Sequence, residues 1–461
     1  MKKSTLLLPA AGVAAALVLS ACASGTSDKA MSGSDSGSAA QSSSMDDPLY
    51  KAAYDKAKAI ADGQDLKGEV TILGVLGGEE LDLYKSLYQP FIDATGVDVA
   101  FESTCDMNSI LQTRIDGGNP PDVISSAQVG QLLDLMNSGD MLALSDLVSA
   151  DALKNYPDSV LNIVSKDSKT YALMHASALE GLVYYNPENY DGPTDAADWA
   201  ELTKWTTAKA DSGSTPWCVA LESGSASGWP ATDWIEELFL TGAGGDAYQK
   251  WTRGELEWTS PEMKAAWEAF GAVAADPKMV NGGPTAVIST DFTKGLLPLW
   301  ADPARCNLAM QADWLTNTVL SQVPGTEVGK NLDFFIAPPV KAENKGLLEI
   351  SGNILGAFKD TPEVRAFLEY MASTESQDLV AHTGQWLPTN SMVSDTAFKT
   401  EDRLAQANLI KESTGAYFDA SDMLPAAENE AFWAATLDYV SDPTKLDSIL
   451  AHLDEVRVAN H

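Results

Sequence analysis

Glu69-Val70-Thr71-Ile72-Leu73-Gly74 is a short apolar run bounded by Gly68 and Gly77-Gly78, the pattern of a buried strand. Leu81, Tyr84, Leu87, Tyr88 and Phe91 follow at helical spacing, and Thr95-Gly96 stops that helix. Val97, Val99 and Phe101 alternate as a second strand, and Met107 to Ile115 reads as a second helix ending at Gly117-Gly118. Asp122-Val123-Ile124 is a third strand. Strand, helix, strand, helix, strand in this order predicts a parallel α/β sheet.

Working outward, Tyr50 to Ile60 reads as a short helix ahead of a folded body that begins near Leu66. Helical periods continue through 128–160, and Gly181-Leu182-Val183-Tyr184-Tyr185 is a further strand. After residue 185 the composition changes, because all twelve Trp lie at or beyond Trp199. Helices are expected over 196–210, 230–241, 261–275 and 363–373, the last opened by Thr361-Pro362. Strands are expected over 334–337 and 349–358. A chain of 461 residues is too long for one ordinary core, so two lobes are expected.

Thirty Lys plus Arg face 65 Asp plus Glu, a formal charge of −35. Such a surface repels phosphate backbones and excludes nucleic acid as a partner. The four His (His175, His382, His452 and His461) share no short ligand spacing, so no metal site and no cofactor are expected. Gly325 to Asn331 lacks the spacing and hydroxyl of a phosphate loop, and Gly224-Ser225-Ala226-Ser227-Gly228 puts Ala where a nucleophile elbow needs Ser. Paired acids such as Glu79-Glu80 and Glu236-Glu237 could serve a glycosidase, but adjacent acids on an acidic chain are read as solvated surface.

Lys2-Lys3 followed by an uncharged apolar run to Leu19 is the build of an export signal. It ends in Leu19-Ser20-Ala21-Cys22, which resembles the lipobox of bacterial lipoproteins and implies acylation of Cys22. Residues 23–47 are Ser, Gly, Ala and Asp and predict a flexible tether reaching roughly 25–30 Å. The expected location is the outer face of the cytoplasmic membrane. Three Cys remain, and an exported chain allows three pairings or three buried thiols. Cys218 and Cys306 both fall in the second lobe's stretch, which favours that pair.

Along nearly the whole body the residues resemble a known family. Gly118-Asn119-Pro120-Pro121-Asp122-Val123 is similar to a turn of family 1 extracellular solute-binding proteins of ABC importers. Thr215-Pro216-Trp217-Cys218, Gly228-Trp229-Pro230-Ala231-Thr232-Asp233-Trp234-Ile235-Glu236 and Phe418-Asp419-Ala420-Ser421-Asp422-Met423-Leu424-Pro425 resemble its α-glucoside branch. Phe432-Trp433 is placed like the sugar-stacking aromatic of the more distant maltose-binding proteins. The branch also carries Cys at the positions of Cys218 and Cys306, which supports their pairing. Departures fall at Cys105, around Gln128, at Glu180, near Asn353 and at Ala309-Met310-Gln311.

The resemblance implies a type II periplasmic-binding-protein fold: two α/β lobes joined by crossing strands, a hinge, and a ligand cleft between them. The expected segments are a signal over 1–22, the tether over 23–47, a first lobe over 66–183 and 343–392, and a second lobe over 184–342 and 393–461. It implies a lipid-anchored, monomeric, non-enzymatic binding protein that hands a disaccharide or oligosaccharide, α-glucosidic by the branch, to permease subunits. The competing readings are an exported glycoside-active enzyme and a carrier of a non-sugar solute such as a polyol. Sugar sites combine aromatic platforms with Asp, Glu, Asn and Gln. The candidate platforms are Trp229, Trp386 and Trp433, with core packing as the alternative for each. The polar candidates are Glu79, Glu80, Asp106, Gln128, Asp233, Gln311, Asn353 and Asp419, several of which could instead cap helices or turns. Trp205 and Trp267 are expected in the core.

Overall fold

The computed structural model describes residues 45–104 and 107–461. Cys22, Cys105 and Asp106 lie outside the described residues. The chain enters through α1 (Pro48–Ala61), capped by the Asp47 carboxylate accepting from the Leu49 N–H. Tyr50, Ala53 and Ala57 bury one face of it, so the folded body starts well before Leu66. Next come β1 (Glu69–Gly74), α2 (Gly78–Thr95), β2 (Asp98–Ser103), α3 (Met107–Asp116), β3 (Val123–Ser126) and α4 (Val129–Ser138). β1 lies between β2 and β3 and is parallel to both, with Ile72 opposite Phe101 on one side and Val123 on the other. The expected parallel α/β start is present. β4 (Ala172–Leu179) then leads out of this sheet.

Glu180-Gly181 is the first crossing. β5 (Leu182–Tyr185) begins a second, three-stranded sheet, flanked by β6 (Leu308–Gln311) and β7 (Asp333–Ile336), both antiparallel to it. Around it pack α5 (Trp199–Asp211), α6 (Trp229–Ala243), α7 (Gly245–Thr252) and α8 (Pro261–Ala274). Cys218 and Cys306 form a disulfide here, as the sequence favoured. Trp267 is fully buried, whereas Trp205 is only partly buried, edge-on to Tyr190.

The chain returns through β8 (Leu347–Ala357), followed by α9 (Pro362–Met371), α10 (Thr374–Thr383) and α11 (Glu401–Glu412). β9 (Gly415–Phe418) pairs in parallel with β8, giving the larger sheet the order β9-β8-β3-β1-β2, with β4 also on β8. Residues 393–418, expected in the second lobe, therefore end in a strand of the first lobe's sheet. Pairing with an eleven-residue β8 decides this, not any composition signal in the segment. After β9 the chain crosses for the last time into α12 (Ala420–Met423), α13 (Ala426–Ser441) and α14 (Leu446–Asn460).

The crossings are bonded to one another. Glu180 N–H donates to the Glu349 carbonyl at 3.0 Å, Ala337 N–H to Gly181 at 2.8 Å, and Asp419 N–H to Ile350 at 2.8 Å. Gly181 sits at φ 67°, and a Cβ there would come 2.8 Å from Glu237 Oε2, so only glycine lets α6 approach this crossing. On the other side α12 touches α4: a Cβ on Gly130 would lie 1.7 Å from the Leu424 carbonyl oxygen. No helix among the described residues is long and apolar enough to cross a membrane.

Candidate functional site

The N-terminus of α6 points the sequence's Trp229 toward a small aromatic group. The Trp229 ring stands edge-on to Phe292, centroids 5.1 Å apart, and 6.3 Å from Trp314. Phe292 and Trp314 complete the triangle at 5.7 Å. All three rings are only partly buried. Gly228 opens α6 in the left-handed region at φ 109°, where a Cβ would meet the Trp433 carbonyl oxygen at 2.2 Å. This contact brings α13, and with it Trp433, beside Trp229. Thr436 Oγ1 donates across the same junction to the Gly228 carbonyl.

Trp433 is partly exposed, and its indole Nε1 is buried without a hydrogen-bond partner. The buried stripe of α13 is Phe432, Ala435, Thr436, Tyr439 and Val440, so Trp433 flanks the core instead of belonging to it. Trp386 is different. It is 5% exposed and edge-on to Tyr84 at 5.9 Å within the first lobe's core. The expectation of a platform is corrected for Trp386, because it is buried in that core.

The polar candidates scatter more widely. Glu80 lies in the first turn of α2, partly exposed, and burial raises its carboxyl to about 7. Glu79 precedes it in the same turn. Gln128 holds the N-cap position of α4 without capping it, and its Oε1 is buried without a partner. Gln311 ends β6, fully enclosed, with Oε1 accepting from the Ala312 N–H at 3.3 Å. Asn353 is half-buried at the bulge of β8 opposite Ala176. Asp419 caps α12, its Oδ1 accepting from Asp422 N–H at 2.9 Å and Ser421 Oγ at 2.8 Å. Asp233 lies one turn beyond Trp229 on α6 and is 5% exposed, with Oδ2 unpartnered.

Around the crossings the structure gathers acids that sequence reasoning left on the surface. Glu236 and Glu237 are buried, not solvated; the correction follows from α6 being covered by the first crossing, β8 and α12 at once. Glu236 Oε2 accepts from the N–H groups of Ala420 and Ser421, and the Tyr248 hydroxyl reaches both Glu236 and Glu349 at 3.3 and 3.1 Å. One oxygen each from Glu236, Glu349 and Asp419 lie within 4.8 Å of one another, the single group among the described residues close enough to hold a metal ion. Burial first, and then mutual repulsion, pushes the Glu236 and Glu349 carboxyls well above the usual carboxylate range.

Glu180, on the first crossing, accepts from the Ser351 hydroxyl. Asp313 forms a buried ion pair with Arg403 at 3.1 Å and accepts from the Leu179 N–H at 3.1 Å, tying β6, β4 and α11 together. Phe292, Trp314 and Asp422 were not among the sequence's candidates, and Glu180 stood there only as a departure from the family pattern. Trp314 and Phe292 stand in no periodic pattern, and only their convergence on Trp229 marks them.

The profile of bacterial extracellular solute-binding proteins matches residues 77–378. The chain is 32% identical over 402 residues to the alpha-glucosides-binding periplasmic protein AglE of Rhizobium meliloti, covering 84% of this chain and 86% of that one. It is 28% identical over 382 residues to the osmoprotective compounds-binding protein GgtB of a Synechocystis species, covering 82% and 90%. Among solved structures, a chitin oligosaccharide binding protein superimposes with a TM-score of 0.71 at 16% identity, over 85% of this chain and 98% of that one. RafE in complex with raffinose gives 0.64 at 17% identity, over 84% and 98%. At such identities these structures speak for the fold, two lobes with a cleft between them.

Proposed function

This chain belongs to the bacterial extracellular solute-binding proteins, and on that premise we propose that it captures a sugar in the interlobe cleft and delivers it to an ABC importer. The observation that carries this reading is the aromatic triangle of Trp229, Phe292 and Trp314, partly exposed, with Trp229 at the start of a helix whose next turn carries Asp233. A pyranose offers an apolar C–H face to such rings and hydroxyls to the carboxylates. Trp433, whose unpartnered Nε1 needs an acceptor, adds a second ring across the Gly228 contact. Glu80 and Gln128 stand at the strand ends of the first lobe, where open α/β sheets receive ligands. Closure about the three crossings would then favour the liganded form by its differential affinity.

The name of AglE supports a disaccharide or oligosaccharide with an α-glucosidic bond; the name of GgtB supports an osmoprotective compound. Both relatives are binding proteins, which supports delivery over catalysis. Acylation at Cys22, a tether over 23–47, monomeric action and a place on the outer face of the cytoplasmic membrane complete the proposal. Lobe segments meeting at Glu180-Gly181, between β7 and β8, and at Asp419 fit the sheet pairing. Calorimetry and thermal shift with maltose, trehalose, sucrose, isomaltose and glucosylglycerol test it, since a ligand that binds only the native state raises the melting temperature. Micromolar binding without turnover is expected; catalytic release of monosaccharide would overturn the reading.

A further inference from the structure

The acids at the crossings form two sets with unlike partners. Glu236 and Asp419 accept from the N–H groups of Ala420, Ser421 and Asp422, Asp419 also from the Ser421 hydroxyl, and Glu236 and Glu349 share the Tyr248 hydroxyl, although Glu236 Oε1 and Glu349 Oε2 are themselves buried without a partner. Glu180, Asp233 and Asp422 accept from no backbone N–H among the described residues. Glu180 receives the Ser351 hydroxyl on Oε1, while its Oε2 is buried without a partner. Asp233 has one long contact of 3.5 Å from Thr232 on Oδ1, and its Oδ2 is buried without a partner. The Asp422 carboxylate is partly exposed and takes no hydrogen bond among the described residues.

Among the described residues no cation pairs with them. Burial first, and then neighbouring carboxylates, pushes the Glu180, Asp233 and Asp422 carboxyls well above the usual range. The two terminal nitrogens of Arg403 go to Asp313, Gln406 and the Gln385 carbonyl, and its Nε is buried without a partner. A neutral ligand would leave the two unpartnered oxygens to find hydroxyl donors while the repulsion among three acids persisted. A cation removes both costs through charge-assisted hydrogen bonds. Trp229 precedes Asp233 by four residues on α6, so an aromatic ring and a carboxylate share one helix face. That pairing suits an ammonium group carried on a sugar ring.

We propose that the cleft receives a saccharide or polyol bearing a basic nitrogen, its ammonium group held by Glu180, Asp233 and Asp422 beside the Trp229 ring. The proposal rests on the sugar-binding reading and narrows it to an aminated ligand class. Calorimetry on the full chain at pH 7 tests it with matched sets: maltose and trehalose, their amino counterparts substituted at C2 or C6, and the N-acetylated forms of those amines. At least one amine is expected to bind about tenfold or more tightly than its neutral parent, with the advantage lost on N-acetylation. Glu180→Gln and Asp233→Asn should each erase most of that advantage. Glu180→Gln should also leave the ligand-free melting temperature unchanged or higher, because it removes a carboxyl that burial makes costly to ionise, whereas a purely structural Glu180 would lower it. If sugars bind and no amine outperforms its neutral parent, the inference falls and the sugar-binding function stands. If no member of any set binds, both fall.

Discussion

The two lobes reach stability by different means. The first lays α1, α2, α9 and α10 against a six-stranded sheet, and its core is Val, Ile, Leu, Tyr and Phe, with Trp386 the one tryptophan. The second has only three strands and fills the space around them with Trp199, Trp217, Trp234, Trp251, Trp258 and Trp267, plus the Cys218–Cys306 bridge. Trp251 alone is edge-on to Trp258 at 5.0 Å and to Phe239 at 5.3 Å. Where sheet area is small, helices lack a common flat surface, and large rings with edge-to-face geometry fill the irregular gaps between them. The ring-rich lobe also carries the aromatic group of the proposed site, while the sheet-rich lobe carries the strand ends proposed to face it.

The comparison can be broken most directly at the bridge. Replacing Cys218 and Cys306 by Ser opens a loop of separation 88, which the chain-entropy model values at about 4–5 kcal/mol. Since eleven of the twelve Trp lie outside the first lobe's core, tryptophan fluorescence should report earlier urea unfolding of the second lobe, with far-UV circular dichroism showing a first lobe that melts later. Coincident, unshifted transitions would deny the second lobe its separate means of stabilisation. Trp251→Ala should cost about 3–5 kcal/mol in the same assay, the price of a large buried ring.

Trp433→Ala sharpens the division between core rings and site rings. Because Trp433 flanks the α13 stripe, we expect a loss on the order of 2–4 kcal/mol in ligand binding and little loss of folding stability. A mutant that melts far earlier yet binds normally would move Trp433 into the core. The smallest effect concerns Glu237. Burial pushes its carboxyl to about 8, above the unfolded value of 4.5. The unfolded chain therefore releases this proton first, and stability falls as pH rises from about 4.5 through 8. The slope is about 1.4 kcal/mol per pH unit between pH 6 and 7. Glu237→Gln should flatten that part of a melting-temperature profile, and an unchanged slope would place the titration elsewhere.

Local periodicity carried much of the fold. The run from Glu69 to Ile124 announced its parallel strands because a buried strand and an amphipathic helix each impose a spacing on neighbouring residues. The helices over 199–211, 229–243, 261–274 and 362–371 were legible for the same reason. Membership in the sheets was less so: β9 joins β8 across more than sixty residues of chain, and pairing over that distance leaves no mark in a short window.

At the site, the sequence by itself determined which residues can stack or accept: Trp229 and Trp433, and the acid content of α6 and of the segment after Phe418. Only the tertiary structure decided their roles. It seated Trp386 against Tyr84, turned Glu236-Glu237 inward and drew Phe292 and Trp314 to Trp229. A ring's exposure and a carboxylate's burial are properties of what packs over them. Here the covering elements are the first crossing, β8 and α12, which come from three distant parts of the chain, so no local pattern could encode the result.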